Sequence, residues 1–362
     1  MKIVVYGLSV TSSWGNGHAT TYRSLLRALE RRGHEIIFVE KDVEWYSNHR
    51  DMPAPEFCAV VLYEDWCVEE TRLAGLAKDA DAVVVGSYFP DAIAATQALL
   101  AAVKAPVMFY DIDTPVTLAG LRSGGGMAYL SAESIPNYAA YLSFTSGPAL
   151  RELEQVYGAK RAVGFFCSVD PELYKRTSVR EEFRCDLSYL GTYAPDRQAK
   201  LMGLLNGAAE RMPLGEFLVA GPQYPAGERW AANVRRLDHV GPADHPAFYS
   251  SSRFTLNLTR ADMVAAGYSP SVRLFEASAC GACILSDEWA GLDEFLTPGE
   301  EILLPRDAQE VAAILNGLSD EERCRIGARA RERILAEHTA EHRAVQFERI
   351  VQETTAPRPF AE

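Results

Sequence analysis

The sequence predicts an α/β protein made of two consecutive doubly wound, mainly parallel sheets. Short apolar, β-branched runs alternate with helical patterns along the whole chain, which is the sign of βα units. At 362 residues, 48% of them hydrophobic, the chain is longer than one core usually serves. The series of strands also restarts after Val169-Asp170-Pro171, which sets domains at 1–169 and 170–338 and a terminal helical segment at 339–362 packing back toward the first domain.

In the first half, strands are predicted at 2–6, 35–39, 59–63, 82–85, 107–110 and 142–145. A helix over 19–32 carries Leu25, Leu26 and Leu29 on one face and stops at Gly33, a residue suited to a helix end. In the second half, strands are predicted at 187–190, 217–220, 254–258, 283–285 and 302–304. Helical patterns at 308–318, 320–337 and 339–353 close the chain, and 356–362, with two prolines, reads as a frayed tail. In open α/β sheets ligands bind outside the carboxyl ends of the strands, so the strand ends are where function is sought.

Composition excludes several classes. A formal net charge of −13 repels nucleic acid and anionic membranes, so no nucleic-acid partner is expected and any phosphate-bearing ligand needs a local cluster of donors. Seven cysteines without regular spacing point to a reducing compartment, and a cytoplasmic location is expected. The apolar run at the N-terminus ends at Gly7, too short for a signal peptide, and Asp91 and Lys104 interrupt the most apolar region, so no membrane span is expected. Nothing in the sequence speaks to the oligomeric state.

The most informative stretch is RFTLNLTRADMVAAGYSPSVRLFEASACGACILSDEWAGLDEFL, from Arg253 onward. It reads as a strand, a loop with Arg260 and Gly267, a helix opening near Ser269, and a second strand after Gly281. Ser269, Pro270 and Ser271 are helix-opening residue types, and the N–H groups there favour an anion such as a diphosphate. Arg260 and Arg273 can add charge-assisted hydrogen bonds, and Glu276, within two turns, can accept them from ribose hydroxyls. The plainer alternative is a good helix cap with solvated charges. Upstream, SYLGTYAPDRQAKL ends a strand at Gly191, offers the Tyr193 ring, and places Arg197 and Lys200 about one turn apart, suited to the same diphosphate or to an ordinary solvated face.

This order of motifs resembles the donor-binding half of GT-B glycosyltransferases, whose signature reads Glu-Ala, two residues, Cys-Gly, then a strand, as in LFEASACGACILSD. More narrowly, SYLGTY with DR, SPSVRLFEA and DEWAGLDEFL are similar to the CgeB-like group of spore maturation proteins. The resemblance covers roughly residues 188–305. It implies GT-B architecture, two Rossmann-like domains facing each other across a cleft, with a nucleotide-sugar donor, UDP-linked in preference, held by the second domain and no bound metal or other cofactor. It also implies that Glu276 holds the nucleotide ribose and that Arg197 and Lys200 contact the diphosphate. Many retaining members carry a further glutamate eight residues before the ribose carboxylate; here that position is Tyr268, which leaves inverting and retaining chemistry both open.

In the first half, SVTSSWGNGHATTYRS forms a loop with Gly15, Asn16 and Gly17 leading into a helix. In a GT-B enzyme this loop faces the cleft, so His18 is a candidate for the base that takes an acceptor proton, as histidine titrates near working pH. FYDIDTPVTL puts Asp111 and Asp113 at a strand end, to orient His18 or the acceptor or to act as the base; the alternative is that Asp113 caps its own turn. An Asp-x-Asp pair also holds metals in the other large glycosyltransferase fold, a reading not favoured because the donor motifs lie some 150 residues later. Glu40, with Asp42 and Tyr46, completes the acceptor-side candidates, and the lone pair Cys280 and Cys283 reads as buried small residues.

The expected activity is transfer of a sugar from a nucleoside diphosphate sugar to a small-molecule or glycan acceptor. The rivals are a nucleotide-sugar epimerase on the same fold, a nucleotide-sugar-binding protein without turnover, and a nicotinamide-dependent dehydrogenase. The last rests on an incomplete glycine loop, since Tyr22 stands where the third glycine belongs.

Overall fold

The computed structural model describes residues 1–124 and 126–355; the predicted tail at 356–362 lies outside them. The chain divides into two compact units, Met1–Cys167 joined by the helix Ala340–Thr355, and Ser168–Thr339. No helix among the described residues is long and apolar enough to cross a membrane.

The first unit is built on a seven-stranded parallel sheet of β1 (Lys2–Tyr6), β2 (Glu35–Lys41), β3 (Ala59–Tyr63), β4 (Ala82–Gly86), β5 (Val107–Asp111), β6 (Ala140–Ser143) and β7 (Ala162–Gly164), in the order β3-β2-β1-β4-β5-β6-β7. The inner strands β4 and β5 are buried at every position, as a parallel sheet covered on both faces requires. The helix Gly17–Arg31 is capped by Asn16, whose side chain accepts from the His18 N–H at 3.0 Å. In the same unit, Arg32 and His34, just past that helix, hydrogen-bond Glu348 of the helix Ala340–Thr355.

The second unit is a five-stranded parallel sheet of β8 (Cys185–Leu190), β9 (Phe217–Ala220), β10 (Val234–Leu237), β11 (Ser252–Asn257) and β12 (Cys283–Ser286), ordered β10-β9-β8-β11-β12. Two strands of this unit differ from expectation. β10 carries Arg235 and Arg236 on an edge and lacks the apolar run that marks an inner strand. The segment 302–304 makes only isolated bridges, Leu285 to Leu303 and Pro298 to Ile302, and no strand. The helix expected to open near Ser269 spans Val272–Ala279, and a short helix, Ala261–Ala266, precedes it.

Each sheet has one point where the strand order reverses: β1 beside β4 in the first unit, β8 beside β11 in the second. The connections there leave toward opposite faces and open a crevice at the carboxyl ends of the strands. The predicted site residues gather after β1 and at the end of β5, with Glu40 on β2, and after β8 and β11.

Candidate functional site

In the second unit, Asn257, the fully buried last residue of β11, organises the crevice. Its Oδ1 accepts from Ser271 Oγ at 2.7 Å and Arg273 Nη1 at 2.9 Å, while its Nδ2 donates to Ser286 Oγ at 2.9 Å. Arg273 also donates from Nε to the Leu190 carbonyl at 2.8 Å and lies 5.0 Å from the Tyr189 ring centroid. Two of the nitrogens expected for an anion are therefore spent tying β8 to β11, and Arg273 braces the crevice. Ser271 spends its hydroxyl on Asn257 and makes no side-chain cap, so it leaves the first N–H groups of Val272–Ala279 for a ligand.

The loop before this helix is held in a backbone form that only its packing explains. Gly267 (φ 66°) and Tyr268 (φ 50°) are both left-handed. A Cβ on Gly267 would come within 2.9 Å of Ala290 O, and one on Gly291 within 2.3 Å of the Tyr268 ring. Tyr268 N donates to Ala290 O at 2.6 Å. A ring is thus locked where many retaining members of the resembled group carry a carboxylate, and Ser269 beside it is fully buried.

The basic residues divide by what they already hold. Lys200 Nζ donates to Asp287 Oδ2 at 2.6 Å, and Asp287 Oδ1 accepts from the N–H and Oγ1 of Thr259, each at 3.0 Å. Arg197 Nη2 donates to Thr192 O at 2.8 Å, and its buried Nε has no partner. Across the β8 and β9 ends, Gly221 has φ 142° and packs so closely that a Cβ would sit 2.1 Å from Gly191 O. That same carbonyl accepts from Tyr224 Oη at 3.1 Å, Tyr193 meets the Tyr224 ring edge-on, and Arg236 lies 3.8 Å over Tyr224.

Two buried glutamates show the difference between a finished and an open carboxylate. Glu40 is fully buried and takes four bonds: from Ser9 Oγ (2.9 Å), Thr11 Oγ1 (2.6 Å), Val10 N (2.7 Å) and Thr11 N (3.1 Å). Its lone pairs are used, so it pins the loop after β1 and is not placed to meet an acceptor. Glu276 is 4% exposed, yet the nearest nitrogen paired with it, His245 Nδ1, stands at 3.7 Å from its Oε2. Burial, and next the Glu276 charge, push the Tyr174 hydroxyl far up, so it faces Glu276 as a neutral donor. A carboxylate held this way, deep and short of donors, can still accept hydrogen bonds.

In the first unit, His18 and Asp113 meet. His18 Nε2 donates to Asp113 Oδ2 at 3.2 Å, because an ionised carboxylate only accepts; this leaves the lone pair at Nδ1, which is buried with no partner. Asp113 opens the helix Thr114–Arg122 without a side-chain capping bond. Tyr88, left-handed at φ 61°, sets its ring edge-on to His18 at 5.4 Å and lies 4.6 Å from Tyr129. Asp111 is fully buried and accepts from Tyr141 Oη, Thr117 Oγ1 and Asp113 N. Burial lifts its pKa to about 6 despite those bonds. Its role is to shape the turn that presents Asp113, so the expected acceptor contact is not available to it. Asn16 likewise serves as the cap that sets His18. Loop 11–13 is further tied to Asp51, which Arg23 holds with two bonds of 2.8 Å. Burial acts against that carboxyl, and the Arg23 bonds bring it down to about 2.

Tyr174, His245 and Tyr224 lie outside the quoted motifs, and Asn257 and Asp287 lie inside them with no role assigned by the sequence. Each gains its meaning only from a distant partner. At the place of the third glycine, Tyr22 packs against Phe38, and its hydroxyl lies 1.9 Å from where a Cβ on Gly86 would stand.

Residues 197–349 match the family model described as glycosyl transferase-like. No curated protein matches the chain. Among solved structures, sucrose-phosphate synthase from Thermosynechococcus elongatus superposes with a TM-score of 0.69 at 14% identity, over 98% of each chain. HepE from Anabaena, solved with UDP-glucose, gives 0.68 at 13% identity over 98% of this chain and 100% of its own. An alpha-glucosyltransferase solved with UDP gives 0.68 at 14% identity over 97% of this chain and 100% of its own. At such identities these likenesses speak for the fold. The chain thus has the fold of GT-B glycosyltransferase structures, two parallel-sheet α/β units, and its residues 197–349 resemble the glycosyl transferase-like family.

Proposed function

We propose that the protein transfers a sugar from a nucleoside diphosphate sugar, UDP-linked in preference, to a hydroxyl of a small-molecule or glycan acceptor, without a metal. The observation that carries this reading is Glu276, a buried carboxylate short of donors beside the uncapped start of Val272–Ala279, inside the segment that matches the family. The UDP and UDP-glucose found with the similar structures support the choice of nucleotide.

Glu276 takes the ribose hydroxyls. The diphosphate meets the N–H groups at Val272 and Arg273, together with Arg197 and Arg260, whose guanidinium has no partner among the described residues. Lys200 joins by exchanging Asp287 for phosphate oxygen. His18 Nδ1 accepts the acceptor's proton as its oxygen bonds the anomeric carbon; the bond from that carbon to the diphosphate oxygen breaks, and its electron pair leaves with the diphosphate. Asp113 steadies the imidazolium that forms.

Calorimetric titration with UDP, GDP, dTDP and NAD in the presence of EDTA tests the donor site, beside Glu276→Ala. The expected result is saturable binding of one nucleoside diphosphate, weakened about tenfold or more in the variant, since hydrogen bonds to a charged group contribute about 1.5–3 kcal/mol each. Binding of NAD alone, of nothing, or equal binding by the variant overturns the reading.

A further inference from the structure

We propose that Tyr174 and His245 are positioning residues that present Glu276 to a vicinal ribose diol and so make the second unit selective for ribonucleoside over 2′-deoxyribonucleoside diphosphates. This rests on the donor site proposed above.

His245 is fixed first. A carbonyl only accepts, so His245 Nε2 donates to Val240 O at 3.2 Å, which sets the plane of the imidazole and aims Nδ1 inward. Nδ1 then stands 3.4 Å from Tyr174 Oη and 3.7 Å from Glu276 Oε2. Tyr174 and Tyr249 each place a ring 6.3 Å from the imidazole, and the two tyrosines are 5% and 1% exposed.

The three polar groups come from separate elements: Tyr174 from the segment before β8, His245 from the helix His245–Ser251, and Glu276 from Val272–Ala279. Their arrangement limits the carboxylate. Tyr174 has one proton to donate, and the imidazole faces Oε2 alone. An ionised carboxylate offers about four lone-pair sites, so enough remain for two hydroxyls. A ligand with only one leaves a buried acceptor unmet, which sites built for a hydroxyl penalise strongly.

The test is calorimetric titration of the full chain with UDP and with 2′-deoxy-UDP, for the wild type, Tyr174→Phe, His245→Gln and Glu276→Gln, with thermal unfolding as the check on folding. The wild type is expected to favour UDP by about tenfold or more. In Tyr174→Phe and His245→Gln that ratio should fall toward one while 2′-deoxy-UDP affinity changes little, as it should in Glu276→Gln. A merely structural role would weaken both nucleotides by the same factor and leave the ratio intact, which would overturn the proposal. So would loss of selectivity in Glu276→Gln alone, or a wild type that binds both nucleotides equally; in each of these the donor site still stands. A wild type that binds neither nucleotide brings down the donor site and this inference together.

Discussion

Replacing Glu40 by alanine strips four buried donors of their acceptor, and the structure sets the size of the effect. The two hydroxyls are partly protected: Ser9 Oγ also accepts from Ser12 N and Thr11 Oγ1 from Arg50 Nε, and both can rotate. The N–H groups of Val10 and Thr11 cannot turn, and both residues are fully buried. At about 1–3 kcal/mol for each unmet buried donor, the cost falls near 3–5 kcal/mol. For a unit of this size that lowers Tm by roughly 6–20 °C. Glu40→Gln should cost less, about 1–2 kcal/mol, because its oxygen can serve the two N–H groups while its NH2 faces hydroxyls able to accept. Differential scanning calorimetry, which separates the two units if they melt apart, measures both variants. An alanine variant within about 1 kcal/mol of the wild type, or a glutamine variant just as damaged, would refute the view that these four bonds hold the loop carrying Asn16 and His18.

Three further outcomes are expected. His18→Ala should lower transfer kcat by about 10²–10⁴ with donor affinity unchanged, and Asp113→Asn should act in the same direction; steady-state kinetics beside calorimetry checks this, and equal loss of donor binding would count against a base role. Gly221→Ala forces a Cβ to 2.1 Å from Gly191 O at φ 142°, so it should cost more than about 2 kcal/mol and weaken nucleotide binding; an unchanged Tm sinks the argument. Asp111 gives a pH signature: its folded pKa of about 6 lies above the ordinary 3.8, so the native state holds the proton more tightly. Its contribution is full below about pH 4 and is lost as pH rises through 6, a fall of about 3 kcal/mol that thermal unfolding across this window should show and Asp111→Asn should flatten.

Much of the fold is legible because inner strands of a parallel sheet must be apolar throughout. The runs at β1, β4, β5 and β9 stand out for that reason and lie where the pattern puts them. β10 escapes because an edge strand tolerates Arg235 and Arg236, and 302–304 misleads because an apolar run can bridge a sheet at single residues without joining it. Arg273 shows the limit for sites. Its type and position fit an anion, yet the Leu190 carbonyl, 83 positions away in the chain, and Asn257 claim two of its nitrogens.

The sequence by itself determines the fold class, the strand-ends that carry chemistry, and the residue types there: glycines where the chain must turn tightly, helix-opening serines, and a histidine and aspartates at loop starts. These follow from local periodicity and local backbone preference, which act between neighbours. Only the tertiary structure decides which of two buried glutamates is finished and which is open, that His18 pairs with Asp113 rather than Asp111, and that Lys200 already holds Asp287. Those outcomes depend on which donors 29 to 95 positions away arrive within 3 Å or so of a buried oxygen, and no local pattern encodes that distance.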